Sequence, residues 1–222
     1  MNGGDGGYNE INPNNPTEWF ATNTDVSIQR CTLGIGCLSQ FFPVVIGNNE
    51  VGGDSGAFYT PYILDPQNTG KIIVGTCRVW RGNSDGSGNG WAPGGGSALS
   101  PDFEPGGVPP CTGGEINLVK ALAAGGPIVG GVSNVIYAAT DGLGPAGPGG
   151  HIWVTPNAAG GSGTWTDRTG GINPFGYPIS GVAIDTSDAS GSTAYVTVMG
   201  FHTSHVWKTI NAGGSAIIAE AW

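Results

Sequence analysis

The sequence predicts an all-β fold assembled from repeated meanders of about four strands, and three observations carry that reading. Two nearly identical heptads, HIWVTPN at 151–157 and HVWKTIN at 205–211, stand 54 residues apart, a spacing that holds four short strands and their turns. Between 43 glycines the chain carries 7 Trp, 6 Tyr, 7 Phe and several clean β-branched runs, which supply burial that a disordered chain of similar glycine content lacks. No segment sustains the apolar period of a helix, and INLVKALAAG at 116–125 is the one stretch that competes.

The elements follow in order from the repeat. NVIYAATDG (134–142) precedes the first heptad as TAYVTVMGF (193–201) precedes the second, and NAAGGSGTW (157–165) follows the first as NAGGS (211–215) follows the second. Earlier in the chain, GGDGGYNEINPNNPTEWFAT (3–22) can be laid on GGDSGAFYTPYILDPQNTGKIIVGT (52–76). Both read as a glycine-flanked Asp, an aromatic, a strand, an Asn/Asp-Pro turn and another strand. ISGVAIDTSDASGSTAYVTV (179–198) has the same strand, turn, strand form. Four units result, at about 1–50, 51–113, 114–172 and 173–222, each a meander of about four strands, the blade of a β-propeller. At 222 residues the length suits one domain.

Thr155-Pro156-Asn157 through Gly163-Thr164-Trp165-Thr166 resembles a loosened Asp-box, the BNR repeat of sialidases, sortilin-type receptors and xyloglucanase-like glycosidases. The fourth unit begins the same box at Thr209-Ile210-Asn211 and then departs from it, reading AIIAEAW where the family would continue with Thr-Trp. The resemblance implies a propeller architecture, and it says little of activity, because propellers host unrelated functions. Propellers of this kind commonly close with six or more blades. The chain therefore reads as a fragment, expected either to close as a small propeller or to self-associate into a homo-oligomer that covers its open blade edges.

Composition excludes several classes. With 7 Lys+Arg against 16 Asp+Glu, a net charge of −9 and no basic stripe, nucleic acid is not an expected partner, since phosphate neutralisation needs clustered cations. No apolar run approaches a membrane span. The chain opens MNGGDGGY, without the charged and apolar regions of a signal peptide. Four cysteines at 31, 37, 77 and 111, in a chain poor in charge, favour an extracellular or periplasmic parent with two disulfides. Cys31–Cys37 with Cys77–Cys111 is the preferred pairing, because the first pair closes a short local loop; four buried free thiols are the alternative. No P-loop is present. The four arginines, Arg30, Arg78, Arg81 and Arg168, fall in different strands and turns rather than in the cluster a sialidase needs.

Histidine placement is the feature a scaffold does not require. The only three, His151, His202 and His205, fall in the loops joining the second and third strands of adjacent units, on the face that usually carries a propeller's site. Three neutral imidazoles suit zinc or another divalent transition metal, whose bound water becomes a hydroxide nucleophile near neutral pH. Asp141 would orient an imidazole or act as base. The plainer alternative makes each heptad's first residue a polar strand start packed on Trp153 or Trp207. Asp5 and Asp54, each among glycines, are expected on the same face as a carboxylate pair for glycoside hydrolysis, or as plain turns. Asp85, Ser87 and Asn89, with Asn83, place oxygens on alternate residues as a weak calcium candidate, without the later bidentate glutamate of an EF-hand.

Two functions from different classes follow. The first is a metal-dependent hydrolase of esters or phosphoesters built on the three histidines. The second is a non-catalytic extracellular module that binds a small molecule, glycan or protein through aromatics such as Trp80, Trp91 and Phe201, with a glycosidase using paired carboxylates as a variant.

Overall fold

Strict alternation along the strands decides how the sheets stack. The computed structural model describes residues 6–39, 42–104, 106–112, 114–145 and 147–211. The first sheet comprises β1 (Asn9–Ile11), β2 (Trp19–Thr22), β3 (Ser27–Cys31) and β4 (Val44–Gly47), and the second β5 (Tyr62–Asp65), β6 (Asn68–Gly75) and β7 (Val79–Asn83). The third holds β8 (Val119–Val129), β9 (Val132–Thr140), β10 (Ile152–Thr155) and β11 (Thr166–Asp167), and the fourth β12 (Ile179–Ile184), β13 (Ala194–Val198) and β14 (Val206–Thr209). Each sheet is an antiparallel meander with neighbours in sequence order. The heptads are β10 and β14, as their repetition predicts.

β9 shows why the sheets stack in series. Ile136 and Ala138 point to one side and join a core with Ile73 and Val79 of the second sheet, while Val135, Tyr137 and Ala139 point to the other and join Ala194, Val196 and Val198 of the fourth. A strand buried on both faces can alternate its side chains between two cores. A third core, with Phe20, Ile28, Ile46, Leu64, Ile72 and Trp80, joins the first sheet to the second. Among the described residues no hydrophobic core joins the fourth sheet to the first. The architecture is an all-β arc of four propeller blades, of which the second and fourth show three strands among the described residues.

The stretch that competes as a helix is strand. Lys120, Ala121, Leu122, Ala123 and Ala124 favour a helix intrinsically, yet β8 pairs with β9 along nearly its whole length, and packing against blades on both sides overrides the local preference. In the second blade the place of a fourth strand is taken by the segment after Asn83, whose Trp91 lies flat on Gly82. A Cβ there would stand 2.2 Å from the Trp91 ring, so glycine is what admits the indole. Both disulfides form with the expected pairing, Cys31–Cys37 and Cys77–Cys111, and none of the four cysteines is free.

Candidate functional site

The first strands of the blades lie side by side: β8 packs against β5 and β12, and the Glu10 carboxylate on β1 accepts a hydrogen bond from Leu64 N on β5 at 3.0 Å. Antiparallel order then puts the entries to these strands and the connections between second and third strands at one end of the arc. That end is the loop face. The Asp-box-like turn lies at the other end. There Thr155 Oγ1 and Thr164 Oγ1 are 2.7 Å apart, Asn157 N donates to Thr155 Oγ1, and Trp165 donates to Leu99 O at 2.7 Å. Asn211 N donates to Thr209 Oγ1 in the same way; the turn after β10 is closed by its own hydroxyls and is structural.

On the loop face the structure gathers aromatic side chains rather than histidines. Tyr8, just before β1, donates its hydroxyl to Lys120 O at 3.0 Å. Tyr59, just before β5, packs on Gly7 and meets Phe58 edge-on at 4.8 Å, and a cavity of about 290 Å³ is lined by Gly6, Gly7, Tyr8 and Tyr59. Lys120 Nζ pairs with Asp141 Oδ2 at 2.8 Å, both half-exposed. Beyond them Tyr177 is held between Gly144 and Gly200, both at positive φ, where a Cβ would stand 2.5 and 2.4 Å from its ring. Tyr177 donates to Phe201 O at 3.3 Å and lies 5.9 Å from the Phe175 ring. Phe58, Phe175 and Phe201 are exposed, Phe201 to 80%. The result is a strip of two aromatic groups, Tyr8, Phe58 and Tyr59 from the first and second blades and Phe175, Tyr177 and Phe201 from the fourth, with the ion pair of the third blade between them in blade order.

Hydrogen bonds anchor the loop that carries Asp141. Thr140 Oγ1 donates to Asn117 Oδ1 at 3.0 Å and accepts from His151 N at 2.8 Å, while Glu104 Oε2 accepts from Ile116 N and Asn117 N. These bonds, made by the buried Thr140 and Asn117, tie the loop down.

The histidines reach the expected connections of adjacent blades but do not meet. Among the described residues the one group of three potential donor atoms within 4.8 Å is Asp54, Cys77 and Cys111, and its two sulfurs are joined to each other. His151 Nδ1 is spent on Asp167 Oδ2 at 2.8 Å, and His205 Nδ1 on Val198 O at 3.0 Å. Carboxylate and carbonyl oxygens only accept, so both rings carry their proton on Nδ1. His202 is exposed, with φ at 58°. The three-histidine metal centre is therefore corrected to three separate imidazoles. Asp141 does not orient one of them: its carboxylate accepts from Lys120 Nζ and, at 2.9 Å, from Gly142 N.

Asp54 is corrected from a loop carboxylate to a buried hub. It is fully buried, and it accepts from both Nε and Nη2 of Arg78, from Thr76 Oγ1, from Trp80 Nε1 and from Cys111 N. Asp5 lies outside the described residues. Asp85 Oδ1 accepts from Ser87 N and Oγ, Ser87 Oγ accepts from Asn83 Nδ2, and Asn83 Oδ1 accepts from Lys71 Nζ, so these three oxygens are already engaged. The serine bonds also hold the Asp85 carboxyl below the usual range. Trp80 and Trp91, expected as binding aromatics, are buried, whereas Phe201 is on the surface. Tyr8, Tyr59, Lys120, Asp167 and Tyr177 were not singled out by sequence; the glycine flanks at Gly144 and Gly200 are the signal that would have found Tyr177.

The His151 and Asp167 pair gives a pH dependence. Burial works to raise the Asp167 carboxyl, and hydrogen bonds from His151 and Thr169 outweigh it, leaving it below its ordinary value of 3.8. A depressed carboxyl contributes stability above its unfolded pKa, and that contribution is lost as pH falls through the folded one. Urea unfolding at a series of pH values below about 4 is expected to show a shallower acid loss for Asp167→Asn than for the unaltered chain, and equal slopes would contradict the assignment. The pair is half-exposed, so the difference at neutral pH stays under about 1 kcal/mol.

No protein-family model matches the chain, and no curated protein does. Solved structures match along nearly the whole of it. An ancestral GH74 enzyme aligns over 95% of this chain and 23% of its own at 18% identity, with a TM-score of 0.52. A GH74 xyloglucanase from Xanthomonas campestris aligns over 94% and 29% at 15% identity, TM-score 0.56. Sqt1 of Saccharomyces cerevisiae aligns over 97% and 48% at 12% identity, TM-score 0.53. The chain thus spans less than half the length of these structures. At such identities the shared property is the fold, the β-propeller.

Proposed function

We propose that the chain is a glycan-binding propeller module of an extracellular protein, engaging neutral sugar rings along the loop-face strip. The observation that carries this reading is the exposure of aromatics on either side of the Lys120 and Asp141 pair, Tyr8, Phe58 and Tyr59 on one side and Phe175 and Phe201 on the other. Apolar faces presented in a row, with a few polar groups among them, are what a sugar polymer offers in complement: C–H faces to stack and hydroxyls to bond. The net charge of −9 and the absence of a basic cluster disfavour acidic glycans, whose charge would be repelled. Two disulfides support an oxidising compartment, and two GH74 enzymes among the similar folds support a glycan as the ligand class. Binding without hydrolysis is favoured over the glycosidase variant because Asp54 is sealed in its network with Arg78, which removes one member of the expected carboxylate pair.

Tyr59→Ala and Phe201→Ala test the strip at its two ends. Each is expected to weaken affinity for an immobilised neutral polysaccharide about two- to tenfold, the scale of one lost stacking contact. Ile128→Ala, exposed at the opposite end of the third blade, serves as control and is expected to bind normally. Unchanged affinity in both strip variants, or equal loss in the control, would remove the reading.

A further inference from the structure

The two aromatic groups of the loop face stand in different surroundings. Tyr8 reaches the Lys120 and Asp141 pair through Lys120 O, and Tyr59 lines the same cavity as Tyr8. The other group is built by segments 142–150, 170–178 and 199–204, which hold no Asp, Glu, Lys or Arg. Glycine lets the first two of these interlock: a Cβ on Gly142 would overlap Gly176 O, and one on Gly150 would overlap Tyr177 O. Gly144 N donates to Gly176 O at 2.8 Å. Asn173, which is buried, locks the junction. Its Nδ2 donates to Gly150 O at 2.7 Å and to Tyr177 O at 2.8 Å, and its Oδ1 accepts from Tyr177 N at 3.1 Å. These glycine-rich segments therefore form a preorganised platform.

On that platform Phe175 and Phe201 are exposed around Tyr177, and so is Leu143, next to the Gly144 that packs on the Tyr177 ring. The Phe175 and Tyr177 rings are 5.9 Å apart and tilted by 57°, and the Tyr177 hydroxyl is already given to Phe201 O. Phe201, the most open, offers a face to a sugar. A sugar lying against Leu143, Phe175 and Tyr177 would instead bring hydroxyls to a surface with no charged side chain to bond them, at a cost in lost water. An aryl ring carries no such cost there and gains edge and offset contacts with the two rings. The polar pair is close by: Gly150 N donates to Asp141 O at 2.6 Å, and Gly142, the residue after Asp141, abuts Gly176 between Phe175 and Tyr177. A sugar bonded at the pair therefore brings its substituents beside these rings.

We propose that the glycan bound by this face carries aromatic ester substituents, with the sugar chain at Tyr8, Tyr59, the Lys120 and Asp141 pair and Phe201, and the aryl group seated against Leu143, Phe175 and Tyr177. The assignment rests on the glycan-binding reading above and narrows its ligand to an aryl-decorated neutral polysaccharide. Joining a weak aryl contact to a weak sugar contact in one molecule makes the second contact intramolecular. Substituted chains are bound more tightly than bare ones as a result.

Calorimetric titration with soluble neutral glucan, xylan and galactan, each bare and bearing sparse benzoyl esters, reads the increment due to the aryl group as a ratio of affinities. The benzoylated form of whichever polymer binds is expected to be held about three- to tenfold tighter. Phe175→Ala and Leu143→Ser are each expected to bring that ratio close to one, with the affinity for the bare polymer and the thermal midpoint kept. Tyr59→Ala, at the sugar end, is expected to weaken both forms together and leave the ratio intact. Bare polymer bound with no increment on benzoylation, or an increment that survives both Phe175→Ala and Leu143→Ser, would overturn the proposal while keeping the glycan reading, and would leave these rings to a protein partner. A hexanoyl ester that gives the full increment would overturn the aromatic assignment. If no polymer binds in either form, the glycan reading itself fails, and this inference with it.

Discussion

Replacing Asp54 with alanine is expected to lower the unfolding free energy by about 3–5 kcal/mol, the cost of removing one partner from a buried ion pair. The carboxylate receives five hydrogen bonds from Arg78, Thr76, Trp80 and Cys111. It draws together the entry to the second blade, the start of β7 and the segment that closes the blade. Arg78 also lies over the Trp80 ring at 4.9 Å, and the variant takes the Asp54 acceptor from a largely buried guanidinium and from a buried indole N–H. Asp54→Asn keeps the acceptor oxygen and the volume, and is expected to fall between. Asp141→Ala, which breaks a half-exposed pair, is expected to cost less than about 1 kcal/mol. Urea unfolding at neutral pH separates the three, and an Asp54→Ala loss no larger than that of Asp141→Ala would contradict the role of hub.

The second large effect is expected at the disulfides, in a definite order. Cys77–Cys111 closes 34 residues of chain and Cys31–Cys37 closes 6. Removing the longer constraint frees more entropy in the unfolded chain, about 4 kcal/mol against about 2 on the chain-entropy relation. Paired alanine substitutions at each bridge, compared by denaturant midpoint, check the order. Cys77 and Cys111 are also buried beside Asp54, so lost packing adds to the longer bridge. A larger loss at Cys31–Cys37 would contradict this account.

The repeat made the strands legible. HIWVTPN and HVWKTIN are β10 and β14, and their predecessors fall on β9 and β13, because identical local patterns in neighbouring blades solve the same packing problem. Burial was harder to read. Trp80 and Trp91 looked available for binding, but blades packed on both faces bury both sides of a strand, so alternation there marks which core a residue enters and not which side meets water. Asp54 read as a turn among glycines because the residues that bury it, Arg78 and Cys111, are 24 and 57 positions away. The histidines were placed on the correct connections, yet ring direction is set by Asp167 on β11 and by a carbonyl on β13, and neither contact is written in the spacing of the imidazoles. The aromatic strip is legible only in three dimensions, since its members enter from the starts of β1 and β5 and from the loops around β12 and β13.

Calorimetric titration of the intact chain with neutral and acidic polysaccharides, run with and without a chelator, tests the central claim most directly. Saturable binding to a neutral polysaccharide, indifferent to chelation and to moderate salt, with no cleavage of the polymer, is the predicted result. Failure to bind any neutral glycan, or binding that chelation abolishes and zinc restores, would contradict the strip as the functional surface and return the histidines to the centre of the problem.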